Sequence, residues 1–108
     1  MIGQRVVQFL DGSDSTTTIN GYSAPIYVGS GYDGKPVTIH IYDAAGLTCT
    51  IQGCLVVGEG TNPPAEKSTE WVSASESITG NDISNMDSSV TWIRIYTTAG
   101  TCKARIKY

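Results

Sequence analysis

The side chains best suited to chemistry in this chain are one histidine, His40, and three thiols, Cys49, Cys54 and Cys102. Nucleophilic catalysis pairs a thiol or hydroxyl with a base, and a zinc site needs several such ligands. Cys49 and Cys54 lie five residues apart, which matches neither a CxxC redox motif nor a zinc knuckle. We therefore expect free thiols that pack as small apolar side chains, with a disulfide as the alternative.

The carboxylates offer no clearer chemistry. Every Asp and Glu lies in a polar or turn segment rather than in an apolar stretch that would raise its pKa. Asp11-Gly12-Ser13-Asp14 resembles the start of a calcium loop but lacks the closing glutamate, so we interpret it as a turn. No glycine-rich phosphate loop is present. The sequence thus predicts no catalytic residue, no metal and no cofactor, and a protein that is not an enzyme.

Binding is the remaining class of function, and charge gives the first indication of where. The chain carries a net charge of −3, which argues against non-specific nucleic-acid binding. Four of its seven basic residues nevertheless fall in the last fifteen positions: Arg94, Lys103, Arg105 and Lys107. Together with Trp92 they are the predicted partner-contact residues, docking on an acidic surface. The alternative is a solvated outer face.

Aromatic residues give a second indication. The segment Val90–Tyr96 is apolar at both parities, and such a strand is either covered within its own chain or lies in a subunit interface. We expect an interface over one of its faces. Trp71, Trp92 and the six tyrosines also fit a sugar-stacking platform. The competing interpretation places the two tryptophans in the core, one per sheet.

Alternation with a period of two is the dominant pattern, and it predicts strands. The predicted strands are Arg5–Leu10, Thr16–Ile19, Ala24–Val28, Val37–Tyr42, Leu47–Gln52, Trp71-Val72, Val90–Tyr96 and Thr101–Tyr108. Cys54–Val57 is predicted to continue or bend the strand Leu47–Gln52. Val37–Tyr42 with Leu47–Gln52 is predicted to form one hairpin, and Val90–Tyr96 with Thr101–Tyr108 another. A bulge is expected at Gly53.

Between these strands the signals are weaker. A short strand or a helical turn is expected around Asp82–Met86, and Gly58–Thr69 is expected to be a mobile or functional loop. The sequence thus predicts an all-β fold over residues 1–108 as one domain. Its form is an antiparallel β-sandwich, jelly-roll or immunoglobulin-like, of seven to eight short strands, with a small barrel as the alternative.

The ends of the chain and its hydropathy indicate a compartment. No apolar run of about 18 residues is present, so no membrane span is expected. Met1–Arg5 lacks the basic and apolar regions of a signal peptide. We therefore expect synthesis in the cytoplasm.

The stretch from Trp71 to Tyr108 resembles small virion proteins of tailed bacteriophages. The shared pattern is a strand ending in glycine and a small residue (Thr50–Cys54), a polar loop, a Trp-Val opening, then Trp92–Ile95, a Thr/Gly turn and a final basic strand. The resemblance covers about Val37–Tyr108. Such proteins are β-sandwiches or jelly rolls that decorate or cement capsids, or that build head fibres and tails.

The resemblance implies a structural virion protein of the capsid-decoration type, made in the host cytoplasm and located on the virion. Its partner would be the major capsid protein or another virion protein. The resemblance also implies a homo-oligomer, with a trimer among the forms expected. The acidic net charge and the lack of a long apolar run predict no nucleic-acid partner and no membrane partner. The alternatives are a carbohydrate-binding module and a host-attachment domain of a tail or head fibre.

Overall fold

A computed structural model describes residues 5–29, 36–56, 62–87 and 90–108. The regular structure in these ranges consists of six β-strands that pair in an antiparallel sense, without a helix. They are β1 (Val6–Gln8), β2 (Ile26–Tyr27), β3 (Pro36–Cys54), β4 (Val72–Ser73), β5 (Asp82–Asp87) and β6 (Trp92–Lys107). The all-β antiparallel prediction is confirmed, but the described strands number six, and two of them are long.

The two long strands, β3 and β6, form an antiparallel ribbon that supports the other strands. At one end, which we call the β1 end, β1 adds to β6 and β5 adds to β3. At the opposite end, the β2 end, β2 adds to β6 and β4 adds to β3. Each end of the ribbon is therefore four strands wide.

Both predicted hairpins are wrong. The segments Val37–Tyr42 and Leu47–Gln52 belong to the single strand β3, and Val90–Tyr96 and Thr101–Tyr108 fall along β6. Their turn-like residues face each other in the middle of the ribbon, where Ala45 pairs with Thr101. The turn-like residues of β3 and β6 lie opposite each other and bend the two strands together. Neither strand turns back on itself there to form a hairpin. Thr16–Ile19 is not a strand either, since Ile19 forms only an isolated bridge to Cys102.

The other predicted strands are recovered in shorter form. β1, β2 and β4 lie within or next to the predicted segments, and the region around Asp82–Met86 is a strand rather than a helical turn. The strand β3 continues through Gly53, and the irregular pairing lies between Tyr42 and Cys49 instead. Part of the predicted loop Gly58–Thr69, positions 58–61, lies outside the described residues.

The irregular pairing between Tyr42 and Cys49 leaves β3 with a net excess of one residue over β6. Ile41 pairs with Ala104 and Ile51 pairs with Ile95, so ten steps along β3 (51 − 41) match nine along β6 (104 − 95). Because side chains alternate between faces, a one-residue offset inverts which β6 positions face the core. The bulged bend therefore lets Ile93 and Ile95 share an apolar cluster with Cys102, Ala104 and Ile106.

That apolar cluster draws on both ends of the ribbon. β3 contributes Val37, Ile39, Ile41, Cys49 and Ile51, all fully buried. Phe9 and Ile19, from the chain that links β1 to β2, are also fully buried in it. Burying an isoleucine or phenylalanine side chain contributes about 1.5–3 kcal/mol. The shared cluster thus joins the two ends of the ribbon in one core.

Asp11 organises the turn that follows β1. Its carboxylate accepts hydrogen bonds from the backbone of Ser13, Asp14 and Asn20 and from the Ser13 hydroxyl. Burial raises the pKa of Asp11, but these four hydrogen bonds outweigh burial and hold it below its ordinary value of 3.8. The turn that the sequence predicts here therefore forms around a charged carboxylate.

We predict that Gly100→Ala destabilises the protein far more than Gly46→Ala. Both glycines have positive φ, 69° and 59°. A Cβ at Gly100 would collide with the backbone carbonyls of Ala45 and Gly46, whereas a Cβ at Gly46 meets open space. Urea denaturation should show a loss of about 1–2 kcal/mol for Gly46→Ala, the strain of a left-handed residue, and a larger loss for Gly100→Ala. Equal losses would contradict the tight bend.

We predict that Asp11→Asn lowers stability at neutral pH by about 2 kcal/mol, because an amide accepts these hydrogen bonds less strongly. The native pKa lies below the unfolded one, so the unfolded chain binds more protons in that interval. The advantage of the wild type should therefore shrink as the pH falls below 3.8 toward the native pKa. Denaturation midpoints of both proteins across this range measure it, and a constant difference would refute the prediction.

Candidate functional site

Three of the predicted partner-contact residues lie together on the outer face of the β1 end. Lys103, Arg105 and Lys107 alternate along β6 with the buried positions of the core. His40 pairs with Arg105 across the ribbon and is exposed on the same side. We call His40, Lys103, Arg105 and Lys107 the basic face.

The basic face is partly ordered by contacts among its neighbours. The guanidinium of Arg105 lies 4.5 Å from the ring centre of Tyr42, and its Nε donates to Gln8 Oε1 at 3.2 Å. Tyr42 donates its hydroxyl to the same oxygen at 3.0 Å. Arg105 is therefore oriented while its charge stays exposed.

Few carboxylates neutralise this face. Lys103 pairs with Asp43 at 3.4 Å, a solvent-exposed pair that contributes little free energy. Within the described ranges, Arg105 and Lys107 form no ion pair. Two exposed apolar residues border the face, Val6 at 64% and Ile83 at 63% exposure. The arrangement suits a surface that bears acidic groups around small apolar areas.

The structure does not place Arg94 on the basic face. Arg94 lies at the β2 end and is only 3% exposed. Its guanidinium carbon lies 4.1 Å from the ring centre of Tyr22 and 4.2 Å from that of Trp71, and Tyr22 stacks on Tyr96 at 4.2 Å. We call Trp71, Arg94, Tyr22 and Tyr96 the arginine stack. Stacking over aromatic faces stabilises a guanidinium that has lost most of its water.

Hydrogen bonds hold the guanidinium between the rings. Nε donates to Gln52 Oε1 at 2.7 Å, and Nη1 donates to the backbone carbonyl of Glu66 at 2.8 Å. Burial lowers the pKa of Arg94 from its ordinary value. An arginine nevertheless stays charged at neutral pH. A buried cation at this position therefore ties the polar loop that contains Glu66 to the sheet.

The backbone positions the rings of the stack. Tyr22 lies opposite Tyr96 because Ser23 exchanges backbone and side-chain hydrogen bonds with Ile95, both at 2.8 Å. Thr97 likewise donates its backbone N–H to Gly21 at 2.8 Å. On the other side, Trp71 donates its indole N–H to Ala65 at 3.1 Å. Two loops are thus fixed on either side of Arg94.

A cleft with a volume of about 170 Å³ opens beside the stack. Arg94 borders it, and so do residues of both fixed loops. They are Gly12, Ser23, Ala24, Pro25, Pro63, Pro64, Glu66 and Trp71. We call this space the arginine cleft.

The two tryptophans are both buried, at 7% exposure for Trp71 and 8% for Trp92. They belong to one cluster with Cys54, so they are not placed one per sheet. Tyr27 covers Trp92 edge-on at 5.2 Å. The chain itself therefore covers the second apolar face of Val90–Tyr96. Neither tryptophan offers an open ring for stacking a sugar.

The candidate nucleophiles do not meet the candidate base. His40 is exposed on the basic face, whereas Cys49 and Cys102 are fully buried in the core. A hydrogen bond with Cys102 and burial raise the pKa of the Cys49 thiol, and burial raises that of Cys54. The thiols of Cys49 and Cys54 therefore stay protonated at neutral pH. Among the described residues, no three His, Cys, Asp or Glu side chains cluster as metal ligands.

Comparisons with known proteins add no assignment. No protein-family model, curated protein or solved structure matches the chain. No helix long and apolar enough to cross a bilayer occurs in the part of the chain that is described.

Sequence reasoning recovered part of this geometry. It grouped Lys103, Arg105 and Lys107 by their alternation, and the structure places them on one face. It assigned Arg94 to the same face through a predicted hairpin between Val90–Tyr96 and Thr101–Tyr108. It did not foresee that distant loops cover Arg94 at the β2 end. It missed Tyr22 and Glu66, which reach Arg94 from distant loops. The sequence feature that could have indicated these partners was Arg94 itself, a lone arginine inside an apolar strand. A buried guanidinium requires aromatic rings or carbonyl oxygens as partners.

We predict that Arg94→Lys lowers stability by about 2–3 kcal/mol, because an ammonium cannot stack between two rings while it bonds two separate oxygens. The matched control is Arg105→Lys on the exposed basic face, for which a change within about 0.5 kcal/mol is expected. Urea denaturation followed by tryptophan fluorescence measures both. A stable Arg94→Lys protein would show that the stack is dispensable.

Proposed function

We propose that this chain is a non-enzymatic adhesion module, a structural protein of a tailed-bacteriophage particle of the capsid-decoration type. It docks through the basic face on an acidic surface of the major capsid protein or another virion protein. One observation carries the proposal. Arg105 and Lys107 are exposed and form no ion pair in the described structure, although the chain as a whole has a net charge of −3. The assignment to a phage particle comes from the resemblance of Trp71–Tyr108 to small virion proteins.

The charges favour a role in docking over a role in folding. Like charges on one face of a sheet cost free energy unless an acidic partner is close. An acidic partner surface would remove that cost and would also steer the two proteins together. Val6 and Ile83, at the borders of the face, add apolar area that a partner can cover.

The size of the face favours binding by several copies. Four strands about 4.8 Å apart and six residues of about 3.3 Å give an area of roughly 400 Å². A stable interface usually buries about 800 Å² on each partner. One copy therefore binds weakly, and a homo-oligomer, for which a trimer is one arrangement, multiplies the contact by avidity.

The proposal also includes a β-sandwich as the architecture of the chain. The bent ribbon would close as a β-sandwich, with the β1 end and the β2 end as facing layers. Its support is the apolar cluster that both ends share. A sandwich leaves the outer face of each layer free, which is what a decoration protein with one docking face requires.

The test uses particles assembled from a phage genome that carries this coding sequence, after the sequence has been deleted. Purified wild-type chain added back should bind these particles, and binding should weaken as salt is raised. Arg105→Glu should reduce binding at least tenfold, whereas Lys67→Glu, an equal charge change on an exposed loop residue, should leave it nearly unchanged. Co-sedimentation measures the bound fraction.

Two outcomes would overturn the proposal. One is equal binding by Arg105→Glu and wild type, since the basic face would then not be the contact. The other is a failure of wild-type chain to bind any such particle at low salt. Light scattering adds a separate check on self-assembly, because a strictly monomeric chain at high concentration contradicts the homo-oligomer.

A further inference from the structure

The arginine cleft combines a cationic floor with apolar walls. Arg94 lines it together with Pro25, Pro63, Pro64 and Trp71, and we call Arg94 its floor and the other four residues its walls. Pockets that hold drug-sized ligands measure about 300–1,000 Å³. A cleft of about 170 Å³ instead has room for a single small group, such as one side chain of a partner.

The floor has unused hydrogen-bond donors. A guanidinium carries five N–H groups. Arg94 donates through Nε to Gln52 and through Nη1 to the carbonyl of Glu66, and its Nη2 donates to no described residue. Nor does any carboxylate in the described ranges form an ion pair with it. A nearly buried cation in this state favours an anionic acceptor.

The walls are held in place before any ligand arrives. Ala24 donates its backbone N–H to Leu10 at 2.7 Å, which fixes one wall. Trp71 is fixed by its bond to Ala65, and the prolines have restricted backbones. A preformed cleft loses little conformational freedom when a ligand binds.

We infer that the arginine cleft binds a carboxylate, supplied by a partner either as an acidic side chain or as a free chain terminus. The carboxylate would accept hydrogen bonds from the open edge of the Arg94 guanidinium, and its aliphatic stem would lie against the proline and tryptophan walls. Arg–carboxylate pairs are charge-assisted and geometrically specific. This site lies at the opposite end of the ribbon from the basic face, so it does not depend on docking by that face.

Glu66 at the rim provides a sensitive test. Its side chain is exposed, and only its backbone carbonyl bonds Arg94. A negative charge at the rim repels an incoming carboxylate. Glu66→Gln removes that charge and retains the carbonyl, so it avoids the loss of folding expected for substitutions of Arg94.

The first experiment titrates the protein with propionate, and separately with its neutral isostere propionamide, at constant ionic strength. Indole N–H signals in nuclear magnetic resonance spectra report the site, because Trp71 lines the cleft and Trp92 does not. We expect propionate to shift the Trp71 signal saturably in the millimolar range, with the Trp92 signal as an internal reference. Propionamide should produce at most a small shift.

The variants separate this inference from the proposed function. Glu66→Gln should bind propionate about two- to threefold more tightly, the effect of one nearby charge in water, with propionamide unchanged. Arg105→Glu should bind propionate as the wild type does, whatever its effect on particle docking. The inference is overturned by equal responses to propionate and propionamide, by an absent Trp71 response, or by an unchanged affinity in Glu66→Gln.

Two blocked peptides then identify the source of the carboxylate. Acetyl-Ala-Glu-Ala-amide carries only a side-chain carboxylate, and acetyl-Ala-Gln-Ala with a free terminus carries only the terminal one. Tighter binding of the first supports an acidic side chain, and tighter binding of the second supports a chain terminus. Failure of both peptides to shift Trp71 would contradict binding of a protein partner at this cleft.

Discussion

The fold depends on a one-residue offset where the β3–β6 ribbon bends. Side chains in a strand alternate between two faces, so a continuous β6 in one register would place either Ile93 and Ile95 or Cys102, Ala104 and Ile106 in solvent. The net excess of one residue on β3 across the bend lets both sets face the core. Positive φ angles at Asp43, Gly46 and Gly100 make this sharp local change of direction possible.

The same offset gives the two ends of β6 different outer faces. At the β1 end, Lys103, Arg105 and Lys107 point away from the core and remain accessible. At the β2 end, Trp92 and Arg94 also point away from the large apolar cluster that both ends share, but loops cover them. One strand thus supplies an open charged surface at one end and a second, covered cluster at the other.

Arg94 shows how a cation is kept inside a small protein. Two aromatic faces and two carbonyl oxygens replace most of its hydration, without a carboxylate at ion-pair distance in the described residues. The arrangement draws the segment that contains Tyr22 and the loop that contains Glu66 onto the outer face of the sheet. The cleft that results is a direct consequence of this packing, since its walls are the same two loops.

Local periodicity in the sequence was enough to determine the all-β class, the positions of most strands and the shared face of Lys103, Arg105 and Lys107. These follow from alternation, which acts between neighbours in the chain. Only the tertiary structure decided that Asp43–Gly46 and Thr97–Gly100 bend a ribbon rather than close two hairpins, because turn residues fit both and the pairing partner selects between them. It also decided the burial of Arg94, whose partners lie up to 72 residues away in the chain (94 − 22). Contacts between residues so far apart in the chain do not produce a periodic pattern in the sequence.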